Sequence, residues 1–239
     1  PTMKWVAMPM TVNSKRSRLA APITGGAIAL ALAIGVVAPP AAAAEPLSVG
    51  APVLDLGFEG GVADSSGFAH PTALRGHQGG TPNATYVPGV TEGSQAIAFG
   101  GNTYLSLGTS AELLPSKMTL SFWLKPAAAM SGEEIITWNK AAYNSDGFYV
   151  SSVSASNPLL LSVGTGSPQP LEIRATATDR NAFFVPGQWT HVAITYDSAT
   201  KSAVFYRNGV KVPTSAGNTA APGQITSNAN VTKSIGYNG

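Results

Sequence analysis

The run from Gln188 to Val212 constrains this chain more than any other stretch of it. In Trp189–Tyr196, Val192, Ile194 and Tyr196 recur at every second position, with His191, Ala193 and Thr195 between them. A period of two puts these sets on opposite faces of an extended strand. Asp197-Ser198-Ala199-Thr200-Lys201 follows, a turn rich in side chains that bond their own backbone. Ser202–Arg207 is dense in aromatic and β-branched residues, and Asn208-Gly209 then supplies two residues that tolerate positive φ. That pair predicts a type I′ hairpin into Val210–Val212, with Pro213 ending the strand. Three consecutive antiparallel strands leave a sheet as the only economical way to bury the apolar face.

The rest of the chain repeats the pattern. Short apolar runs at Val53–Phe58, Thr72–Gly76, Thr85–Val87, Gln95–Phe99, Thr103–Leu107, Met118–Lys125, Glu134–Asn139, Gly147–Ser152, Leu159–Val163, Leu171–Thr176 and Thr232–Tyr237 are separated by Gly, Pro or Asn turns. A single helical turn is expected at Ser110–Leu114, and no segment carries a helical period. Strands at this spacing predict an all-β fold, a β-sandwich of two antiparallel sheets. The 40-to-50-residue repeat of a propeller is absent.

The first residues read differently. Lys15-Arg16-Ser17-Arg18 precedes the apolar run Leu19–Val37, and Ala41–Ala44 offers a small-residue cleavage site before Glu45. This is the layout of a secretory signal peptide, which makes a secreted, extracellular protein the expectation. The other reading is a membrane anchor, but Pro22, Gly25 and Gly26 interrupt the run. The expected division is thus residues 1–44 as upstream residues and leader, 45–52 as a linker and 53–239 as the sandwich. The leader removes Lys4, Lys15, Arg16 and Arg18 and no acid, so ten basic side chains face twelve acidic ones in the remainder, a net charge of −2. No basic stripe remains for nucleic acid. With no cysteine, thiol chemistry and cysteine metal sites are excluded.

Four segments in order resemble the laminin G-like (LamG-like) domains, the concanavalin A-like jelly rolls of secreted bacterial proteins. They are Leu56-Gly57-Phe58-Glu59-Gly60 with Asp64-Ser65-Ser66-Gly67, Met118–Pro126, Gln188–Asp197 with Phe205–Gly209, and Ser234-Ile235-Gly236. The resemblance implies a jelly-roll sandwich over residues 53–239. It also implies a further closing strand beside the first one, not found in this sequence, and with it the expectation that the sequence stops inside the domain. Such domains commonly accompany glycoside hydrolases or lyases, and an attached downstream domain is expected.

A retaining glycosidase needs two carboxylates facing across a cleft. Glu133 and Glu134 are adjacent and so diverge on a strand, while Asp55 and Glu59 are separated by Gly57 and a turn. No catalytic residue is assigned. His191 lies mid-strand with no Ser or Asp partner placed near it, and reads as structural; His70 and His77 are too isolated for zinc. Trp123 and Trp189, in regular strands, are expected in the core. For sugar, aromatic faces stack on pyranose rings and amides or carboxylates bond hydroxyls. Trp138, Asn139, Tyr143, Asn144 and Asp146 bring those types into one segment, with core packing as the alternative for Trp138. Resemblance to calcium-bearing relatives makes Glu59 and Asp64 candidate ligands for one structural calcium ion, with turn capping as the alternative for Asp64. The expected function is a non-catalytic carbohydrate-binding or adhesion module of a larger secreted protein, with polysaccharide or cell-surface glycan as partner. The alternatives are a structural spacer or protein-interaction module, and the N-terminal part of an enzyme whose catalytic domain lies downstream.

Overall fold

The computed structural model describes residues 5–13, 51–164, 169–177, 179–225 and 230–236, the first group by its backbone. Strands dominate, arranged as two antiparallel sheets of eight. Sheet A runs β14 (Val210–Val212), β13 (Ser202–Arg207), β12 (Thr190–Asp197), β7 (Lys117–Leu124), β1 (Trp5–Asn13), β5 (Gln95–Phe99) and β4 (Thr85–Pro88), with β2 (Leu54–Leu56) paired to β1. Sheet B runs β15 (Thr214–Gly217), β11 (Leu171–Ala175), β10 (Leu159–Val163), β9 (Phe148–Ser152), β8 (Glu134–Trp138), β16 (Ser234–Ile235), β6 (Thr103–Ser106) and β3 (Ala73–Gly76).

The anticipated hairpin anchors sheet A. Asn208 (φ 50°) and Gly209 (φ 80°) both hold positive φ, as a type I′ turn requires. The Asn208 side chain also accepts from the backbone N–H of His191 at 2.8 Å, tying the turn to β12. Every residue of β12 pairs with β7, from Thr190 opposite Leu124 to Asp197 opposite Lys117. Alternation then places Met118, Leu120, Phe122 and Leu124 with Val192, Ile194 and Tyr196 on the inner face, all buried. Sheet B answers with Leu105, Phe148, Val150, Leu159, Leu161, Val163, Leu171 and Ile173 in the same core. Each such side chain contributes about 1.5–3 kcal/mol by leaving water.

Several elements differ from the sequence reading. Asp179 caps a four-residue helix, α1 (Arg180–Phe183), by accepting from the N–H of Asn181 at 2.9 Å. No helical period shows in so short a turn. Pro213 ends β14 as expected, but the chain continues directly into β15, on the other sheet. The Pro213 carbonyl accepts from the N–H of Thr176 at 2.9 Å, which holds this crossover. Trp123 and Trp189 are not in the inter-sheet core. They are half-buried on the outer face of sheet A, packed over Ala96 and Ala98 with Val87 and Val90. In β7 the even-numbered positions face inward, so Trp123 must face out.

The N-terminal stretch holds the largest difference. Residues 5–13, read as lying upstream of the leader, form β1 between β5 and β7. Trp5 lies opposite Phe99 and Ala7 opposite Ile97 on one side; Met8 lies opposite Trp123 and Asn13 opposite Thr119 on the other. Met10 to Val12 pair with Leu56 to Leu54. The position beside the first strand of the domain, where the resemblance called for a closing strand absent from the sequence, is therefore held by β1. The basic and apolar parts of the expected leader (residues 14–44), residues 45–50 of the expected linker and Tyr237 of the last expected strand lie outside the described residues.

Candidate functional site

In β8 to β11 the core-facing residues leave their alternates on the outer face of sheet B. Register aligns a row across that face: Glu172 opposite Ser162, Ser162 opposite Tyr149, Tyr149 opposite Trp138, and Trp138 opposite Ser234. A β-bulge between Ile135 and Thr137 shifts the alternation so that Trp138 joins this face. Its ring stacks on Tyr149, with centroids 4.9 Å apart and planes inclined by 28°. Beside them, Ile135 and Leu160 form a small apolar floor with Tyr149.

The segment between β8 and β9 folds back over this row. Gly147 makes the return possible: its φ is +103°, and a Cβ there would meet the carbonyl oxygen of Asn139 at 2.0 Å. Inside the loop, the Lys140 ammonium donates to the carbonyls of Tyr143 and Gly164, both at 2.9 Å, and to the Ser162 hydroxyl at 3.4 Å. It also lies 5.7 Å from the centre of the Tyr149 ring. Burial, partly offset by the Glu172 and Asp146 carboxylates, pulls Lys140 down to about 8. The Trp138 indole N–H donates to the Lys140 carbonyl at 2.5 Å. Tyr143, 37% exposed, sets its ring 6.1 Å from that of Tyr149 and donates its hydroxyl to Glu172. Burial and the Glu172 carboxylate push Tyr143 up to about 12. Burial and then the Glu133 carboxylate push Tyr149 up as well. The second oxygen of Glu172 accepts from Arg174, and Glu133 accepts from the Ser151 hydroxyl at 2.7 Å.

Of the five residues singled out for sugar, Trp138 and Tyr143 come together on this face around Tyr149. Asn144 is exposed and Asp146 half-buried on the same loop. Asn139 is 3% exposed, and its side-chain oxygen has no hydrogen-bond partner among the described residues. Sequence reasoning missed Tyr149, Glu172 and Arg174 as members of the cluster. They are ordinary strand residues until register brings β11 and β9 beside the loop, and no local signal marks them.

Glu59 and Asp64 sit at another corner. Asp64 Oδ1 accepts from the N–H groups of Asp55 (2.9 Å) and Ser66 (3.0 Å), and Oδ2 from the His70 N–H (3.0 Å) and the Ser66 hydroxyl (2.9 Å). Four donors match the roughly four acceptor positions of a carboxylate, so a cation there would have to displace some of them. Burial pushes Asp64 up, but these donors outweigh it and hold the carboxyl below its usual range. Glu59 accepts from the N–H of Gln95 at 2.9 Å.

His191, near which sequence alone places no Ser or Asp, has a serine beside it. Ser121 Oγ lies 2.8 Å from His191 Nε2, across the diagonal from β7 to β12. The Trp123 ring lies 5.0 Å from the imidazole, and burial holds His191 below its usual value. A cleft of about 350 Å³ elsewhere on sheet A is lined by residues of β7, β12 and β13 around the Lys117–Asp197 ion pair (2.8 Å). Its aromatic member, Tyr196, turns its hydroxyl to the Gly223 carbonyl.

Comparison with known proteins agrees with this architecture. A laminin G family model, described as the concanavalin A-like lectin/glucanases superfamily, matches residues 99–238. Mouse (Mus musculus) pappalysin-1 is 29% identical over 136 residues, 52% of this chain but 8% of that protein's length. Among solved structures, domain 4 of AbnA, an extracellular GH43 arabinanase from Geobacillus stearothermophilus in complex with arabinotriose, superposes with a TM-score of 0.50. It is 21% identical, with 74% of this chain and 78% of that one covered. The binding domain of botulinum neurotoxin DC in complex with rat synaptotagmin II gives 0.50 at 16% identity, covering 77% of this chain and 43% of that one. A botulinum type C structure, whose cell entry depends on two ganglioside molecules, gives 0.50 at 14% identity, covering 73% and 40%. At these identities the likenesses establish the sandwich fold.

Proposed function

Because the chain belongs to the concanavalin A-like lectin/glucanases superfamily, we propose that it is a lectin-like module whose outer face on sheet B binds glycan. It works as the non-catalytic, exported part of a larger protein that degrades or adheres to polysaccharide. The carrying observation is the stack of Trp138 on Tyr149 beside the half-open ring of Tyr143, within reach of Glu172, Arg174 and Glu133. Aromatic faces favour the axial C–H surface of a sugar ring, and the surrounding carboxylates and amides accept or donate to its hydroxyls. Both oxygens of Glu172 are engaged, by Tyr143 and Arg174, which suits a binding role better than proton transfer. The sugar-bound state of the arabinanase domain supports the same reading by analogy of fold.

The test is retention of the full chain in affinity gels containing polysaccharides, with Trp138→Ala as control. Retention lost in the variant supports the reading. A folded chain that is retained by no polysaccharide overturns it in favour of a spacer or protein-interaction module.

A further inference from the structure

We infer that this face selects uncharged polysaccharide and turns away glycans that carry carboxylate or sulfate, an inference that rests on the glycan reading of the same face. What decides it is the sign of the groups left available around the aromatic stack. The Tyr143 hydroxyl donates to Glu172, and Glu133 accepts from the hydroxyl of Ser151, which shares the outer face of β9 with Tyr149. Asp146 adds a third acid near Lys140.

Among the described residues, the cations closest to the stack donate to protein acceptors. Lys140 is 1% exposed and divided among two carbonyls and a hydroxyl. Arg174 donates to Glu172. Arg180, 5% exposed, donates to the carbonyls of Met130 and Gly132 at 2.6 Å each and faces Glu134. Arg75 is exposed, but on β3, three strands beyond β8 in sheet B, which is about 14 Å at the usual strand spacing. An acidic sugar needs a free guanidinium or ammonium to replace its hydration. Here it would find the Glu133 carboxylate and the Glu172–Arg174 pair, with Asp146 on the same loop, and no unpaired cation beside them among the described residues. A neutral sugar meets no such penalty, and its hydroxyls can donate to those same carboxylates.

The experiment compares arabinan and mixed-linkage glucan with polygalacturonate, heparin and ganglioside-bearing vesicles, using the full chain at low ionic strength. Retention by a neutral polymer with none by the acidic probes is the expected result. Glu133→Lys is then expected to raise affinity for polygalacturonate by about tenfold, as one acid is exchanged for a base. Acidic probes that bind and release on Trp138→Ala would overturn this selectivity and leave the glycan reading standing. Neutral binding without any gain by Glu133→Lys would also overturn it, because charge would not be the selector. Binding to neither class would remove the glycan reading itself.

Discussion

The indole of Trp138 lies on the ring of Tyr149, 4.9 Å between centroids, although the two residues belong to strands whose connecting loop folds over both of them. Trp138 is only half-buried, so its free surface is available to a ligand while Tyr149 serves as its support. Replacing Trp138 by Ala should weaken polysaccharide retention by about tenfold, the value of one aromatic stacking contact. Affinity electrophoresis would measure this, with circular dichroism showing that the sandwich is intact.

Lys140 makes stability depend on alkaline pH. Its folded value of about 8 lies below the usual 10.5, so between those values the unfolded chain holds a proton that the folded chain does not. Stability should therefore rise with pH from about 8 to 10, by ~2 kcal/mol. Above 10 the trend should reverse, because Tyr143 and Tyr196, both pushed up to about 12 chiefly by burial, stay protonated in the fold while unfolded tyrosines ionise. Urea melts across this range would show the rise, and Lys140→Met should flatten it.

Asp64 closes a turn by receiving three backbone N–H groups and a hydroxyl. Asp64→Ala would leave those donors without an acceptor, at about 2–4 kcal/mol. The contribution of Asp64 should be present above pH 4 and lost as pH falls through its depressed folded value. The loss in the variant should be the same with millimolar calcium and with a chelator. A thermal shift on adding calcium that disappears in Asp64→Ala would instead make this carboxylate a metal ligand.

β1 joins the two halves of sheet A, since β5 and β7 each pair with it. Without it, both strands would present unpaired N–H and C=O groups along an edge. Deleting residues 1–13 should lower stability by roughly 3 kcal/mol or more and promote association at the open edges. Differential scanning calorimetry with light scattering would read both. An unchanged melting temperature would show that β1 does not support the sheet.

Burial holds His191 below its usual value, with Ser121 bonded to its ring. As pH falls below 6.5 the unfolded chain takes the proton first, so stability should decline there. His191→Gln should reduce that decline, measured as urea midpoints between pH 5 and 7.

Much of this fold is written locally. The period of two in Met118–Leu124 and Thr190–Asp197 fixes which residues enter the core, because a strand has only two faces. Asn208-Gly209 fixes a hairpin, because both residues must hold positive φ. The segment 138–146 shows its aromatic, amide and carboxylate side chains in the same way, as composition within one loop. Register between distant strands was decided only by the tertiary structure. Glu172 reaches Tyr143 because the loop between β8 and β9 folds back over β9 and β10 toward β11, and Ser121 reaches His191 because β7 and β12 align residue for residue. The bulge at Ile135–Thr137 reverses the face of Trp138, and Pro213 carries the chain from one sheet into the other rather than ending it in a loop. Residues 5–13 take a central place in sheet A because two strand edges there need hydrogen-bond partners, and that demand arises only once the sheets are assembled.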